Sequence, residues 1–314
     1  MKFIRPKIII SKCLEFEKCR FDGQIINNRY IQKLKNFIDF IPICPEVEIG
    51  MGTPRKPIRV VQNKNGNQLI QSDTNIDYSY KINKFSKQFI EEVNRLDGII
   101  LKSASPSCGI NTAKYYNKSN TMPIGKGSGL FASQLIKKFP NHPKEEEKRL
   151  NNPFIREHFY TCIFTLADFS AVKSFDALYK FQAKHKYLFM AYNQKILYIM
   201  GNIAANKAKK TIEIILKEYY DYLLLLLSNK PRFPSNINAQ MHVMGYFKKL
   251  VSANEKKHLL YIVELYRNRK VPISAVNSIL SSWIFRFEDE YLMKQSFFNP
   301  FPIELIENEK SRFE

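Results

Sequence analysis

The five cysteines are the residues of this sequence whose chemistry is most distinctive. Three of them, Cys13, Cys44 and Cys108, lie far apart in the chain, and Cys19 follows the first after five residues. Thiolates are soft ligands that select zinc or iron–sulfur clusters. The sequence has no closely spaced pair of cysteines of the kind that is typical of a structural zinc site. Ligands from three remote loops favour an iron–sulfur cluster instead. On a four-iron cluster, three thiolates leave one iron open to substrate. Ordinary buried thiols are the alternative that spacing alone leaves open.

The number and surroundings of the cysteines argue against a disulfide framework. Near its N-terminus the chain has a short apolar run at residues 8–10 that is followed at once by Ser11 and Lys12, so we expect no secretory signal and a cytoplasmic protein. In that reducing compartment an odd number of cysteines indicates buried thiols, metal ligands or catalysis. Cys162, among aromatic and aliphatic neighbours, is expected to be a small buried hydrophobe.

The elements around these cysteines predict an open, mostly parallel, Rossmann-like sheet. Short β-branched or apolar runs predict strands at residues 7–12, 37–43, 58–62 and 98–102, and apolar positions at helical spacing predict a helix between 80 and 96. Strands that alternate with helices favour an α/β domain of the doubly wound type.

The predicted strands also explain how remote cysteines meet. Cys13 directly follows the first strand, Cys44 follows the second, and Cys108 lies in the loop after the last. Loops at the carboxyl ends of parallel strands converge on one crevice, so we expect these three thiols to lie close together.

The second half of the chain has a different texture and predicts an all-α helical domain. Leu, Tyr, Phe and Lys recur at helical spacing in five segments: 174–193, 206–228, 239–250, 256–269 and 273–292. The stretch between 140 and 153 contains three prolines and a charge run, which places the predicted boundary between domains 1–150 and 151–314.

Composition bounds the partners. The 314 residues include 49 Lys and Arg against 29 Asp and Glu, a formal charge of +20, and 45% are hydrophobic, which excludes a disordered or collagen-like chain. The most apolar run is too short to cross a membrane, and no obligate protein partner is inferred. Such a basic chain is typical of nucleic-acid binding, although a general excess of lysine explains the charge equally well.

Three separated blocks resemble the thiouracil desulfidase (TudS-like) family over roughly residues 5–150. They are ISKCL with CRFDG at 10–23, CPEV with GMGTPR at 44–55, and LKSASPSCG at 101–109; GLFA at 129–132 and PKEEEKRL at 143–150 resemble the end of that domain. The second half resembles the YbgA-like domain, through HKYL at 185–188, GYFK at 245–248 and QSFFNPFPIEL at 295–305. Gln182 and Tyr192 stand where that family commonly has His.

The resemblance implies a site and a reaction. It implies a [4Fe-4S] cluster bound by Cys13, Cys44 and Cys108 with one open iron, and Glu46 and Ser105 as the catalytic acid/base pair. Cys19 is then a nearby accessory or buried thiol. The non-catalytic alternatives are that Glu46 is a solvated loop carboxylate and that the Ser105 hydroxyl caps a turn.

The fused two-domain form resembles the RudS-type enzymes, which implies removal of sulfur from 4-thiouridine in tRNA to give uridine and hydrosulfide. A desulfidase for free 2-thiouracil or thiouridine nucleotides is the alternative, and a non-catalytic RNA-binding or cluster-carrier protein is the alternative of another class. No acidic residue occurs between Asp97 and Glu145, a stretch with seven lysines around Cys108, which favours a polyanion. The candidate RNA-binding residues are Lys102, Lys114, Lys118, Lys126, Lys248 and Lys249. The salt dependence of binding separates the two substrates.

Overall fold

A computed structural model of the protein describes residues 3–64, 66–117 and 122–306. Two compact units divide the chain between Ala167 and Asp168, close to the end of one helix. The sequence-based boundary after residue 150 stays a prediction. Among the described residues, no helix has both the length and the apolar character needed to cross a membrane.

The first unit is an α/β domain. Its strands are β1 (Lys7–Ser11), β2 (Asp39–Ile43), β3 (Ile58–Asn63), β4 (Gly66–Gln71), β5 (Gly98–Leu101), β6 (Ala113–Tyr116), β7 (Gly125–Gly127) and β8 (Lys144–Glu146). Its helices are α1 (Arg29–Leu34), α2 (Pro45–Glu48), α3 (Ser79–Glu91), α4 (Leu130–Lys138) and most of α5 (Pro153–Phe169). The predicted α/β class is therefore confirmed.

The main sheet is parallel throughout, in the order β2-β1-β5-β8. Its central strands are uninterrupted apolar runs because both faces are covered, and Ile8, Ile9 and Ile10 are fully buried. Gly98 begins β5 where α5 comes so close that a Cβ atom would lie 2.7 Å from Ile163. The predicted strands at 7–12, 37–43 and 98–102 all lie in this sheet.

A second, mixed sheet has the order β4-β3-β6-β7. The strand predicted at residues 58–62 lies here as β3, in an antiparallel hairpin with β4, and not in the main sheet. A single apolar core links the two sheets with α3 and α4, and it contains Ile9, Val60, Ile82, Phe131 and the Cys108 side chain.

The second unit is built of helices, as predicted. They are α6 (Phe175–Tyr192), α7 (Gln194–Ala205), α8 (Ile212–Leu227), α9 (Phe233–Tyr246), α10 (Ala253–Arg267), α11 (Ile273–Arg286) and the short α12 (Glu290–Met293). Buried aromatic rings hold them together; Phe169, for example, stacks on Tyr219 with ring centroids 5.5 Å apart.

Candidate active site

The carboxyl ends of three adjacent strands place the candidate thiols at one edge of the main sheet. Cys44 directly follows β2, Cys13 lies two residues beyond β1, and Cys108 lies in the loop after β5. The order β2-β1-β5 makes these strand ends neighbours. All three thiols are buried and free of disulfides. The predicted convergence is therefore what the structure shows, whereas their role as ligands stays a prediction.

Cys19 is a fourth thiol at this edge. Its side chain is hydrogen-bonded to the thiols of both Cys13 and Cys44. The Cys44 thiol also donates to the Cys19 backbone carbonyl, at 3.7 Å. The sequence places Cys19 near the site as a buried thiol, and the structure shows it there with 1% of its surface exposed.

The surroundings of Cys19, Cys44 and Cys108 raise the pKa of each of these thiols and so favour its protonated form. Burial is the main cause that raises the pKa of Cys108, and the negative charge of Glu46 raises it further. The hydrogen bond with Cys19 and then burial raise the pKa of Cys44. The pKa of Cys19 is raised to about 12, first by its hydrogen bond to Cys13. A bound metal centre is the kind of positive charge that would convert such thiols into thiolates.

The donor set is chemically compatible with an iron–sulfur cluster. No three His, Cys, Asp or Glu side chains within the described ranges are arranged to hold a single metal ion. A cluster distributes its cysteine ligands over several irons and so needs no such common point. Soft, free, buried thiols on three loops fit that group by their chemistry.

Glu46 lies two residues after Cys44, in α2, and is 8% exposed. Its Oε2 atom accepts a hydrogen bond from Arg55 Nε at 2.7 Å and forms an ion pair with Arg55 Nη2 at 2.5 Å. Its Oε1 atom has no hydrogen-bond partner among the residues that the structure describes. The interpretation of Glu46 as a solvated loop carboxylate does not match this burial.

Ser105 combines a structural contact with proximity to a thiol. Its Oγ accepts hydrogen bonds from the backbone N–H groups of Ser107 (3.2 Å) and Cys108 (3.0 Å), so the hydroxyl caps the turn. The same hydroxyl is hydrogen-bonded to the Cys108 thiol. Both acceptor positions of Oγ face the backbone, which directs its own proton elsewhere.

The loop that carries Ser105 and Cys108 is fixed by contacts with the start of α4. Carbonyl groups of this loop accept hydrogen bonds from the start of α4: Leu130 N–H donates to Pro106 (3.1 Å) and Ala132 N–H to Ser107 (3.0 Å). Gly129 begins this contact, and a Cβ there would lie 2.5 Å from the Ser107 backbone. This contact explains why the GLFA segment belongs with the Cys108 block.

Two family models match parts of this chain. Residues 8–147 match the family model described as 2-thiouracil desulfurase, and residues 186–302 match that of a protein of unknown function, DUF1722. The two models match successive and separate parts of the chain, and the α/β part and the helical part are called the desulfurase domain and the DUF1722 domain below after the models that they resemble. The predicted thiouracil desulfidase and YbgA-like resemblances are confirmed.

Relatives cover the two domains separately. The uncharacterized protein YbgA of Escherichia coli (strain K12) is 24% identical over 127 residues, which are 40% of this chain and 75% of YbgA. The uncharacterized protein YbbK of Bacillus subtilis (strain 168) is 29% identical over 136 residues, 41% of this chain and 88% of YbbK. A solved structure, the [4Fe-4S]-dependent thiouracil desulfidase TudS, is 24% identical, with a TM-score of 0.38 over 47% of this chain and 94% of that protein.

Sequence reasoning missed two buried carboxylates of the desulfurase domain. Glu147 accepts hydrogen bonds from the N–H (2.6 Å) and the hydroxyl (2.7 Å) of Ser103. Glu146 accepts hydrogen bonds from Ile110 N–H, at 2.8 Å, and from the Thr112 hydroxyl. The charge run at 145–147 reads as a solvated linker in the sequence, but in the structure it ends β8 and holds the Cys108 loop. Its place within the PKEEEKRL segment was the one available signal.

The candidate RNA-binding lysines fall into three groups. Lys102 forms a 3.1 Å ion pair with buried Glu147, so the charge of this lysine is already paired within the protein. Lys114 and Lys126 are exposed and lie directly opposite one another on β6 and β7 of the desulfurase domain. Lys248 and Lys249 are exposed just after α9 of the DUF1722 domain. Lys118 lies outside the described residues.

Proposed function

We propose that this protein removes sulfur from 4-thiouridine in tRNA, with a [4Fe-4S] cluster held by Cys13, Cys44 and Cys108 and one iron left open. The observation that carries the proposal is the meeting of these three thiols at one sheet edge with Glu46 and Ser105 beside two of them. The match of the N-terminal domain to the 2-thiouracil desulfurase family model supports sulfur removal as the chemistry.

The reaction is a hydrolysis without net redox change. Water supplies the oxygen of the new carbonyl group, the carbon–sulfur bond breaks, and sulfur leaves as hydrosulfide with the released proton. When bound, the cluster supplies a soft Lewis-acidic iron for the thiocarbonyl sulfur, which makes the attached carbon more electrophilic.

The chain itself supplies the proton transfers. The free Oε1 atom of Glu46 is placed to accept a proton from the attacking water, while its Oε2 stays on Arg55. The Ser105 hydroxyl, which contacts the Cys108 thiol, donates or relays a proton toward the departing sulfur. Burial of Glu46 and of the thiols limits competing water at this edge.

Charge outside the thiol site favours tRNA as the substrate. Lys114 and Lys126 are like charges directly opposite each other across two strands, an arrangement that costs stability and that a phosphate group would relieve. Tyr116, on the neighbouring β6 position, has the Arg59 guanidinium over its ring at 5.6 Å, and such aromatic–arginine pairs stack on nucleotide bases.

Free 2-thiouracil is the second candidate, because the family description names that base. A non-catalytic RNA-binding or cluster-carrier protein is disfavoured by the retention of a buried Glu46 with a free oxygen beside the thiols. A carrier needs no such base.

The test is anaerobic reconstitution with iron and sulfide, followed by hydrosulfide assays on thiolated tRNA and on free 2-thiouracil side by side. We expect tRNA turnover that weakens steeply with salt, since phosphate contacts release counterions. Glu46→Gln should lose about 100-fold or more in kcat while it keeps the cluster absorbance. No hydrosulfide from either substrate would refute the catalytic proposal.

Charge reversal separates the two substrates. Lys114→Glu with Lys126→Glu should weaken tRNA binding and leave turnover of free 2-thiouracil unchanged. The double variant Lys84→Glu with Lys87→Glu, on the exposed side of α3, is the charge-matched control. Equal losses in both variants would mean that the tRNA contact is unspecific, and turnover of 2-thiouracil alone would establish the second candidate.

A further inference from the structure

Arg55 is a buried cation that contacts Glu46, Cys19 and Cys44. Its side chain is 5% exposed and pairs with the 10% exposed side chain of Glu46. Its Nη1 donates to the backbone carbonyls of Cys19 (3.0 Å) and Gly52 (2.9 Å). Its Nη2 lies 4.0 Å from the Cys44 sulfur.

The backbone is shaped to bring Arg55 back to Glu46. Between them the chain reverses through Gly50 (φ +84°) and Gly52 (φ +70°), both in the left-handed region that favours glycine. No atom lies within 4 Å of a Cβ built at either position, so backbone conformation and not space requires glycine. The Arg55 N–H then donates to Phe21 O at 2.8 Å, which fastens the returning segment to the loop after Cys19.

A buried ion pair is a costly way to gain stability. Desolvation of the two charges offsets most of their attraction, and apolar replacements of similar volume are often as stable. The planar guanidinium fork, by contrast, fixes the direction of a carboxylate in a way that a lysine ammonium group does not. The geometry of this pair is therefore better explained by orientation than by stability.

Both contacts to the carboxylate use the same oxygen. Nε and Nη2 of Arg55 meet Oε2 of Glu46, and Oε1 keeps no partner among the described residues. A carboxylate held in this way presents one oxygen, in one direction, as a proton acceptor. A bidentate pair that used both oxygens would have blocked it.

We infer that Arg55 is the positioning residue of the desulfidase reaction, which anchors Glu46 through Oε2 and directs Oε1 at the attacking water. This inference rests on the proposed function and assigns a role to a residue that the predicted catalytic pair omits. Arg55 acts through Glu46 and not on the substrate itself.

The test compares Arg55→Lys with Arg95→Lys in the same domain. Arg95 also pairs with a buried carboxylate, with Nη2 2.6 Å from Oδ2 of Asp97, but it lies at the opposite ends of the strands, next to the start of β1. Both substitutions keep the charge and remove the fork. We expect Arg55→Lys to lower kcat about 10- to 100-fold, as loss of an outer-sphere partner typically does, with an unchanged KM and a wild-type cluster absorbance and EPR signal. Arg95→Lys should change none of these.

Chemical rescue gives a readout that a merely structural role would not move. Free guanidinium should restore part of the kcat of Arg55→Ala, and it should restore nothing in Glu46→Gln. Wild-type kcat in Arg55→Lys, or a loss of kcat in proportion to lost cluster, would overturn the inference. A wild-type enzyme that releases no hydrosulfide would overturn the proposed function, and this inference with it.

Discussion

Each compact unit has a cluster of buried polar groups, and the two clusters differ in whether all their hydrogen-bonding atoms have partners. We call a cluster closed when they do and open when some do not. In the helical unit, Ser296 Oγ donates to His185 Nδ1 at 2.7 Å, and His185 Nε2 donates to Asp168 Oδ2 at 2.8 Å. Lys184 pairs with the same oxygen of Asp168 at 2.7 Å. Both ring nitrogens of His185 are thereby used inside the fold.

The thiol cluster of the desulfurase domain is open by comparison. Its cysteines form no disulfide, and Glu46 keeps an oxygen without a partner among the described residues. The Ser–His–Asp order in the helical unit resembles a hydrolytic triad, but Ser296 is 2% exposed and His185 is 3% exposed, so no substrate reaches them. Unused bonding capacity, more than residue type, marks the candidate site.

Removal of single thiols has the largest expected effect and tests which of the four complete the open cluster. Cys13→Ser, Cys44→Ser and Cys108→Ser should each abolish the iron–sulfur absorbance and hydrosulfide release after anaerobic reconstitution. Cys19→Ser should retain the absorbance, since three thiolates suffice for a cluster with an open iron. Ser296→Ala, in the closed cluster, should change neither quantity. If Cys19→Ser loses the cluster as completely as Cys13→Ser, the cluster has four protein ligands.

The carboxylate of Glu147, in the desulfurase domain, has its oxygens paired within the fold, as the groups of the helical cluster have. We therefore expect Glu147 to contribute to stability. Glu147→Ala removes a buried partner of Ser103 and Lys102 and should cost about 3–5 kcal/mol of unfolding free energy, because it leaves buried donors unpaired. Glu145→Ala, whose partner Arg149 is exposed, should cost about 1 kcal/mol or less. Urea unfolding followed by circular dichroism measures both. Equal costs would contradict the assigned role of Glu147 as the anchor of the Cys108 loop.

The closed cluster makes a prediction about pH. Burial lowers the pKa of His185, and the hydrogen bond that His185 donates to Asp168 opposes this shift. As the pH falls below about 6.5, this histidine therefore takes up a proton in the unfolded chain before it does so in the folded protein. The free energy of unfolding then decreases, by at most about 1.4 kcal/mol per pH unit. Asp168, whose pKa is lowered, adds a further loss at more acidic pH.

The fluorescence of Trp283 can follow this pH dependence of stability, because Trp283 lies in the same helical unit as His185. It is the only tryptophan of the chain and is buried in α11 of the helical unit. Its fluorescence should report a urea midpoint that falls from pH 7 to pH 5 in the wild type and falls less in His185→Gln. Identical curves for the two proteins would mean that His185 does not contribute.

The parts of the fold that were predictable are those whose apolar pattern is local. Uninterrupted isoleucines mark β1 and β5 because both faces of these strands are covered, and Cys13 and Cys108 lie in the loops that follow these strands. The helical segments were also recognisable, although α9 begins at Phe233 and not at 239, because Pro234 occupies the first turn instead of preceding the helix. The segment predicted at 273–292 divides after Arg286, where Glu288 adopts φ +53°.

The parts that were not predictable depend on distant partners. The sequence of β8 is KEE. The buried carboxylates of Glu146, at its end, and of Glu147, directly after it, are explained only by distant donors such as Ser103, which is 44 residues away from Glu147. Strands β6 and β7 are short and rich in Lys, Tyr and Gly, so neither showed an alternating pattern. The contact between Arg55 and Glu46 likewise follows from a chain reversal that residue spacing does not specify.

The smallest expected effect concerns strain in the loop of the open site. Ala104, directly before Ser105, has φ +58°, and its N–H donates to Thr112 Oγ1 at 2.7 Å. Ala104→Gly should stabilise the desulfurase domain by about 0.5–1 kcal/mol, because relief of the left-handed strain exceeds the added flexibility of the unfolded chain. Ala132→Gly, inside α4, is the matched substitution and should destabilise the domain by about 1 kcal/mol or more.

The alkylation rate of Cys108 in the metal-free protein, followed by mass spectrometry, measures local opening of the loop. This rate should fall in Ala104→Gly and rise in Ala132→Gly. A faster rate in Ala104→Gly would mean that the loop is held by its backbone conformation and not by the carboxylates of Glu146 and Glu147.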